Sequence, residues 1–461
     1  MSTMSTMSTS YSTMVSTAGI ASGICCTALM SAASASPSVY PVGVTRYDPA
    51  TAYNSDVLFS GADNRTYLID MDGHVLHRWD VNGFPGRVLD PALVGGVKGE
   101  IGAQLSTVPA GGSAGGVGEV PGRAANFRDE TFGYQDWSGR TLWQWGRQAP
   151  GGAALQHHDW ELLPNGDTLL LGNKIGSLPG FGARAMMDDV IYEVNKAGQI
   201  VWTWAAAAHL AQFGFTASQL DLLKRVAAVD YLHMNAMQEL GPNHWAEAGD
   251  ERFSPDNIMI SSRNANFIAI ISRRTGNIVW RLGPNFAPIK EPYANSPASK
   301  APFALDRFSG QHDAHMIPEG LPGAGNILMF DDEGEGGYPP ATLPVIAGSR
   351  ILEIDPVRSE VVWKYANPMV FYSSFLSSAE RLPNGNTLID EGMDGRFFQV
   401  TGKGEIVWEY ISPFRSSSVG VPVSNSVYRI QAVPYAWVPL PGPHAEQPVI
   451  PSVFGRIGTA R

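Results

Sequence analysis

The sequence predicts an all-β protein, a six-bladed β-propeller with helical and Pro-rich loop insertions. Three observations carry this prediction. A motif that ends in tryptophan occurs six times, Asn-Gly turns separate apolar runs, and the chain of 461 residues contains 50 glycines and 33 prolines. Many turns and only 16% charged residues are typical of β proteins rather than helical ones.

The repeated motif is a polar residue, a turn that usually contains glycine, two or three β-forming residues and then tryptophan. Its six copies end at Trp79, Trp143, Trp202, Trp280, Trp363 and Trp408. Self-similar units at this spacing are typical of arrays such as propellers. We expect these tryptophans to occupy equivalent positions and to pack between blades, without a chemical role.

A second element comes before most copies of the motif. The Leu-Pro-Asn-Gly sequence of residues 163–166 returns at residues 382–385, and weaker versions occur at residues 254–260 and 323–329. Asn-Gly between apolar runs is a strong hairpin signal. Each unit is therefore predicted to be a small antiparallel sheet. One such sheet cannot bury both of its faces, whereas six packed radially can.

The uneven spacing of the repeats locates the insertions. Residues 205–228 are rich in Ala and Leu with helical periodicity, so one or two helices are expected there. Residues 286–308 form a Pro-rich loop. The glycine run at 111–116 lacks the Lys-Ser/Thr ending of a phosphate loop and is interpreted as a surface loop. The acidic stretch 331–337 suggests a cation site, but a solvated loop is the preferred interpretation.

The first 40 residues differ from the rest of the chain. They contain no charged residue, and an apolar run ends in Ala33-Ser34-Ala35, which resembles a signal-peptidase site. We expect residues 1–40 to be a signal peptide, with a disordered leader as the alternative, and residues 41–461 to be a single propeller domain. A secreted or periplasmic protein follows from the first interpretation. The run is too polar to span a membrane, and the two cysteines, Cys25 and Cys26, lie inside it.

The net charge of −11 and the lack of a basic run argue against a nucleic-acid partner, because phosphate contacts need clustered Lys and Arg. No cofactor is predicted.

Polar residues interrupt the apolar pattern close to the hairpin strands of different repeats. They are His158 (with His157 as the alternate), His233, Arg263 and His312. The innermost strands of a propeller line its central channel, so we expect these side chains to converge at one end of that channel. Three histidines and an arginine would form an electropositive pocket suited to an oxyanion. A zinc site built from the three histidines is the competing chemical interpretation.

His312 is the candidate with the clearest chemistry. A neutral imidazole is a good nucleophile or general base near pH 7, and an adjacent carboxylate can hold its tautomer. Asp313 follows it directly, and His315 lies beyond. Taken alone, each of these residues is more often a structural histidine hydrogen-bonded to backbone.

These residues, in this order, resemble the bacterial arylsulfate sulfotransferase (ASST) family over roughly residues 50–430. The resemblance rests on the tryptophan repeat, the two Leu-Pro-Asn-Gly hairpins and the stretches 230–235, 261–263 and 311–313. It implies a six-bladed propeller that moves a sulfuryl group from an aryl sulfate ester to a phenol, without PAPS, by a ping-pong mechanism.

The resemblance also implies a role for each candidate. His312 would be the nucleophile that forms a sulfo-histidine, and His233 would act on the protonation of the phenol. His158 would be a further channel histidine, and Arg263 would hold the sulfate oxygens. Asp313 departs from this picture, because an anion beside the nucleophile disfavours an incoming sulfate.

Other functions remain open at this point. They are a propeller lyase or hydrolase acting on a polysaccharide, a non-catalytic binding propeller and, more remotely, a quinone-dependent dehydrogenase. A narrow pocket at the four polar residues would favour a small aryl ester, whereas a long open groove would favour a polysaccharide.

Overall fold

The computed structural model describes residues 41–105, 129–286, 303–339, 348–368, 370–416, 424–443 and 446–450. Within these ranges the chain forms six antiparallel sheets, and the innermost strands of successive sheets contact one another around a centre. The predicted six-bladed β-propeller is confirmed.

In chain order the strands are β1 (Gly43–Tyr47), β2 (Asp56–Ser60), β3 (Thr66–Ile69), β4 (Val75–Trp79), β5 (Asn82–Val88), β6 (Ile101–Gln104), β7 (Phe132–Gln135), β8 (Thr141–Trp145), β9 (Trp160–Leu162), β10 (Thr168–Ser177), β11 (Ala185–Val194), β12 (Ile200–Ala205), β13 (Met234–Glu239), β14 (Ile258–Ser262), β15 (Phe267–Ile271), β16 (Ile278–Leu282), β17 (Phe303–Ala304), β18 (His312–Met316), β19 (Ile327–Asp331), β20 (Arg350–Asp355), β21 (Glu360–Ala366), β22 (Ser377–Arg381), β23 (Thr387–Glu391), β24 (Arg396–Val400), β25 (Ile406–Ile411) and β26 (Ile430–Val433).

The first blade is built from both ends of this strand order. From the centre outward, blade 1 is β26-β2-β3-β4, so a late strand lies innermost beside three early ones. Blades 2, 3 and 4 are β5 to β8, β9 to β12 and β13 to β16. Blade 5 is β18 to β21 with β17 added outside, and blade 6 is β22 to β25 with β1 added outside. The ring is therefore closed twice, by β26 at the centre and by β1 at the periphery.

Helical segments fill the predicted insertion after β12. A 3-10 helix spans Ala206–Gln212 and α1 spans Ala217–Val226, so the expected helices at 205–228 are confirmed. Thr216 caps α1 by accepting a hydrogen bond from the Gln219 amide. Shorter turns follow at α2 (His244–Glu247) and in 3-10 helices at Glu251–Phe253, Gly392–Asp394 and Tyr435–Trp437.

Three sequence predictions fall on other parts of the chain. The leader 1–40, the glycine run 111–116 and most of the Pro-rich loop lie outside the described residues. Among the helices that the structure does describe, none has the length and apolar character needed to cross a bilayer.

The two Asn-Gly sequences form the predicted hairpins between the first and second strands of a blade. Gly166 and Gly385 take positive φ angles of 84° and 88° in these turns, a conformation that glycine adopts without steric cost. The amide of Leu163 donates to Asp167, and that of Leu382 donates to Asn386, which closes the same turn in blades 3 and 6.

The tryptophan motif forms the fourth strand of each blade, counted from the centre. Trp143, Trp202, Trp280, Trp363 and Trp408 all occupy the first paired position after a β-bulge in that strand. In blade 1 this position holds His77, and Trp79 lies two residues further on. The predicted equivalence of all six is thus wrong for Trp79. The shift is tolerated because residues two apart on a strand face the same side.

Six indole N–H groups join each blade to the next. Each donates to a backbone carbonyl in the outer hairpin of the following blade, over 2.8–3.3 Å, and the donors are Trp79, Trp145, Trp204, Trp280, Trp363 and Trp408. In blades 2 and 3 the donor is therefore the second tryptophan of the strand, not Trp143 or Trp202. Six apolar clusters fill the spaces between neighbouring blades.

We expect Trp408→Phe to lower the free energy of unfolding by about 1–3 kcal/mol, because the buried carbonyl of Met71 loses its donor. Trp363→Phe is the matched control, since its bond to Gly402 lies at an exposed position where water can replace the indole. Urea unfolding of both variants measures the difference. Equal losses would show that the hydrogen bond contributes nothing beyond ring size.

Polar side chains on the innermost strands tie neighbouring blades together. Asp159 accepts from the amide of Met237, Asp313 from that of Ala379, and Glu380 from that of Ala432. Gln238 and Gln431 make paired bonds to the backbone of Met316 and Val88. These side chains thereby satisfy buried backbone N–H and C=O groups that have no hydrogen-bond partner within their own sheet.

Candidate active site

The inner strands begin with residues in the left-handed region of backbone conformation. They are His158, His233, Asp313, Leu376 and Arg429, from five different blades, with φ between 51° and 61°. A non-glycine residue at positive φ costs on the order of 1 kcal/mol, and such residues cluster at functional sites. This end of the channel is therefore where the backbone is most constrained, and it holds the predicted site residues.

The structure brings the three predicted histidines together. The His158 ring lies 4.6 Å from the His233 ring and 5.5 Å from Tyr428, whose ring is 6.5 Å from that of His312. His158 and His312 are buried, whereas 22% of the His233 side chain is exposed. His157 instead faces away, with Nε2 3.3 Å from Asp189 and Nδ1 2.8 Å from Nδ1 of His158. Of the two candidates in blade 3, His158 is the one at the site.

Arg263 belongs to the same site. It follows β14, and its amide donates to the carbonyl of His233 over 3.1 Å. Its guanidinium donates to Asn264, and its charge acts on His312. The predicted convergence of four residues from three blades is thus the arrangement that the fold produces, while their catalytic roles stay predictions.

Each of two histidines has a carboxylate on Nδ1. Nδ1 of His312 lies 2.9 Å from Oδ2 of Asp332, and Nδ1 of His233 lies 2.7 Å from Oδ2 of Asp230. The carboxylate beside His312 is therefore not Asp313, as the sequence suggested. Asp313 accepts from the Ala379 amide and lies 3.4 Å from Arg429.

The predicted electropositive pocket needs a correction, because its cationic groups face carboxylates. Asp230, Asp313 and Asp332 offset the charges of His233, Arg429 and a protonated His312.

The solvated loop preferred for residues 331–337 is wrong for its first two residues. Asp331 and Asp332 are fully buried, and Asp331 pairs with Arg350 at 2.5 Å.

Burial controls the ionisation of the His312 pair. It lowers the pKa of His312 well below its ordinary value, and the nearby charges of Arg263, His233 and Arg429 lower it further. Burial also raises the pKa of Asp332 well above its ordinary value, against the opposing effects of Ser377 and Arg263. Both shifts share their largest cause, because a low-dielectric environment disfavours either charge.

Tyr428 and Arg429 form the floor of the site, at the entry to β26. The Tyr428 hydroxyl lies within hydrogen-bonding distance of the carbonyls of His158 and Asn235, at 3.1 and 3.2 Å. The Arg429 side chain extends from blade 1 across the channel and contacts three other blades. It pairs with Asp159 in blade 3 and Asp313 in blade 5, and it donates to the carbonyl of Asn235 in blade 4. Closure of the ring by β26 thus also completes the site.

One side of the site is apolar. Phe84, Leu376, Met393 and Tyr428 form a buried cluster with Phe375 packed against it, and Phe84 stacks on Tyr428 at 3.9 Å. Phe84 also contacts the His158 ring at 5.1 Å. The site therefore has a polar half of histidines and arginine and an aromatic half, a combination that suits a small molecule with an anionic group on a ring.

The zinc interpretation does not fit this geometry. Among the described residues, the group of metal-ligand type whose donor atoms lie within 4.8 Å of one another is Asp70, Asp72 and His74, in the outer hairpin of blade 1. The three site histidines do not form such a group, and two of them direct Nδ1 to carboxylates.

Sequence comparison identifies the family. Residues 128–415 match the family model described as Arylsulfotransferase (ASST). The chain belongs to the arylsulfotransferase family. The match includes His158, His233, Arg263 and His312, and the family suggests aryl sulfotransferase activity. No curated protein matches the sequence significantly.

Solved structures similar to this arylsulfotransferase-family chain are distant in sequence. A protein of unknown function from Bacteroides caccae has 11% identity and a TM-score of 0.43, with 82% of this chain and 98% of that chain covered. A streptogramin B lyase has 12% identity and a TM-score of 0.36, with 80% and 82% covered. Virginiamycin B lyase from Staphylococcus aureus has 10% identity and a TM-score of 0.36, with 82% and 90% covered.

Two carboxyl groups line the channel next to the site of this arylsulfotransferase-family protein. Glu161 accepts from the Glu239 amide over 2.7 Å, and Glu380 accepts from that of Ala432 over 2.9 Å. Burial raises the pKa of Glu161 to about 8 and that of Glu380 to about 7. Near neutral pH Glu161 is therefore largely protonated and Glu380 about half protonated, which lowers the negative charge of the channel.

The raised pKa of Glu161 predicts a stability that depends on pH. Between about 4.5 and about 8 the unfolded chain has released a proton that the folded chain keeps, so stability falls as pH rises through this window. Glu161→Gln retains the acceptor without the charge. We expect its melting temperature to equal the wild type at about pH 5 and to exceed it by about 2 °C or more at about pH 9.

Thermal unfolding at the two pH values tests this expectation. Glu405→Gln is the control, because Glu405 is exposed and its replacement should change little at either pH. A Glu161→Gln variant with the pH dependence of the wild type would show that Glu161 is not the titrating group.

Proposed function

We propose that this protein is a PAPS-independent sulfotransferase that moves a sulfuryl group from an aryl sulfate ester to a phenol through a sulfo-histidine at His312. The observation that carries the proposal is the buried His312 ring, held at Nδ1 by Asp332, in one site with His233, His158 and Arg263. Membership of the arylsulfotransferase family supports the reaction class.

In the first half-reaction, the Nε2 lone pair of His312 attacks sulfur and an N–S bond forms while the ester S–O bond breaks. The departing phenolate takes a proton from His233, whose partial exposure lets it exchange protons with solvent. In the second half-reaction an acceptor phenol gives its proton to His233, its oxygen bonds to sulfur and the N–S bond breaks. Atoms and charge balance over the two steps.

Arg263 and His158 are assigned to the sulfuryl oxygens. Charge in the transition state spreads over these oxygens, so positioned donors and cations do most of the work. Burial lowers the pKa of Arg263, although Asp332, Glu335 and Asp230 act in the opposite direction. An arginine remains cationic under all ordinary conditions, so it can hold a sulfate in this buried location.

The aromatic half of the site is assigned to the aryl ring. Phe84 and Tyr428 present stacked faces beside His158, and Leu376 and Met393 add apolar surface. Arg429 and Tyr428 occupy the channel below the histidines. Buried aromatic side chains beside the histidines suit a small aryl ester better than a polysaccharide, which needs an extended groove.

The test is an assay with a chromogenic aryl sulfate, with and without a phenol acceptor. We expect release of the donor phenol, acceleration by the acceptor, and the sulfated acceptor as product. Release of phenol without sulfated acceptor would indicate a sulfatase. A protein that cleaves none of a panel of aryl sulfates would refute the proposal and favour the lyase, hydrolase or binding alternatives.

A further inference from the structure

The carboxylate on His312 comes from a distant part of the chain and is held by several elements. Asp332 follows β19, and its Oδ1 accepts from the Ser377 hydroxyl over 2.9 Å. Its own carbonyl accepts from the Ser349 hydroxyl over 3.1 Å. The preceding residue, Asp331, is fixed by the buried Arg350. The Asp332 side chain is completely buried, so few other orientations are open to it.

This contact decides which ring nitrogen of His312 reacts. A carboxylate at Nδ1 favours the tautomer with hydrogen on Nδ1, so the lone pair stands on Nε2. When Nε2 takes a sulfuryl group, the imidazole ring gains positive charge. The carboxylate, 2.9 Å away on the other nitrogen, then stabilises the intermediate.

We propose that Asp332 is the positioning residue of His312: it holds the reactive tautomer and stabilises the sulfo-imidazole ring, while the Ser377 hydroxyl orients the carboxylate. This inference rests on the proposed function for its turnover readout only. Asp332 does not touch substrate, since it lies behind the ring at Nδ1.

The two groups titrate as one unit. The reactive form is a neutral His312 with an ionised Asp332, and addition of one proton to the pair leaves Nε2 without its lone pair. The charged groups that face the pair are Arg263, His233 and Arg429 on the side of His312, and Arg263 and Asp331 on the side of Asp332. The rate of donor cleavage should therefore fall with decreasing pH as one proton binds to the pair. We call this part of the pH–rate profile the acidic limb, and its midpoint is a property of the pair and not of either residue.

Asp332→Asn and Ser377→Ala are expected to move this limb in opposite directions. Without the carboxylate, a protonated His312 would be a buried cation next to Arg263, so the limb moves to lower pH by about one unit or more. Without the Ser377 hydroxyl, the carboxylate loses a hydrogen bond and becomes more basic, so the limb moves to higher pH. Donor cleavage at the pH optimum should fall on the order of 10²- to 10⁴-fold in Asp332→Asn.

The measurement is the pH dependence of the rate of phenol release for the wild type and both variants, with their melting temperatures. Asp332→Glu is the conservative variant, and it should recover part of the activity lost in Asp332→Asn. A loss of rate with an unmoved limb in both variants would overturn the inference, because a purely structural aspartate lowers rate without changing the titrating unit. Should Asp332→Asn fail to fold, the Ser377→Ala variant alone tests the inference: a midpoint of the acidic limb at higher pH supports it, and an unmoved midpoint refutes it.

A readout without turnover separates this inference from the proposed function. In protein labelled with ¹⁵N-histidine, the His312 signals are assigned by their loss in His312→Asn. At pH values above the acidic limb, we expect Nδ1 of His312 to be protonated and Nε2 to be unprotonated. That pattern in a protein that cleaves no aryl sulfate would keep the role of Asp332 and refute the sulfotransferase. A protonated Nε2 and an unprotonated Nδ1 in an enzyme that cleaves aryl sulfates would refute the role of Asp332 and keep the sulfotransferase.

Discussion

His312→Asn is expected to abolish cleavage of the aryl sulfate donor, with a loss of about 10⁴-fold or more, even when no acceptor is present. Asparagine keeps a polar side chain of similar reach but has no lone pair that can form the N–S bond. The fold should persist, because Asp332 retains its bond from Ser377 and an amide can take the place of the ring at the carboxylate.

The measurement combines a burst of phenol release with mass spectrometry of the trapped protein. The wild type should carry one added sulfuryl group on the peptide that contains His312, and the variant should carry none. His244→Asn serves as the matched control, because His244 is exposed in α2, which follows β13 at the end opposite to His233. Equal donor cleavage by the wild type and His312→Asn would refute the assignment of the nucleophile.

The effect of His233→Asn should differ in kind from that of His312→Asn. His233 is assigned to the phenolate oxygen, so its loss should slow donors with poor leaving groups most, since their departing oxygen needs the proton. A donor with a good leaving group should be cleaved at a rate closer to that of the wild type. The slope of rate against leaving-group pKa therefore separates the two histidines.

Arg429→Met is expected to lower the free energy of unfolding by about 3–5 kcal/mol, the largest stability effect that this structure indicates. Arg429 is buried and lies 2.8 Å from Asp159, 3.4 Å from Asp313 and 2.6 Å from the Asn235 carbonyl. Its removal leaves the partly buried carboxylate of Asp313 with the Ala379 amide but without its cation, while Asp159 keeps Arg87. Four blades lose their common contact at the centre.

Urea unfolding measures this loss, and Arg358→Met is the control. Arg358 also faces an aspartate, Asp355 at 3.7 Å, but 71% of its side chain is exposed. A pair of that kind contributes about 1 kcal/mol or less. A similar small change in both variants would show that the contacts of Arg429 across the channel do not stabilise the ring. Because Tyr428 precedes Arg429, the variant should also weaken the floor of the site.

Local sequence was sufficient to predict the strands and turns of the blades and the residues that converge at the candidate site. Asn-Gly turns, alternating apolar strands and the tryptophan motif act within a few residues, so spacing along the chain reveals them. The polar residues that interrupt this pattern identified His158, His233, Arg263 and His312 in the same way. Asp230 was also within reach, because it lies three residues before His233 and bonds to both its ring and its amide.

Contacts between residues far apart in the chain depended on the tertiary structure. Asp332 is twenty residues from His312 in the chain, and nothing in their spacing distinguishes it from Asp313, the nearer carboxylate. Asp331 and Asp332 are buried, and Asp331 pairs with Arg350 on the adjacent strand, a contact that an acidic run in the sequence does not reveal. The indole donor of blades 2 and 3 was ambiguous from the sequence, because tryptophans two residues apart on a strand face the same side.

The repeat, the strand-and-turn order and the residue types that reach the channel are predictable from the chain alone, since each follows from short-range preferences and periodicity. The folded ring is needed to show which carboxylate orients which histidine, and that Tyr428 and Arg429 complete the site. These residues enter through β26, which returns from late in the chain to close blade 1. Ring closure brings side chains more than a hundred residues apart into contact, and the strength of such contacts depends on burial and geometry that a linear pattern does not contain.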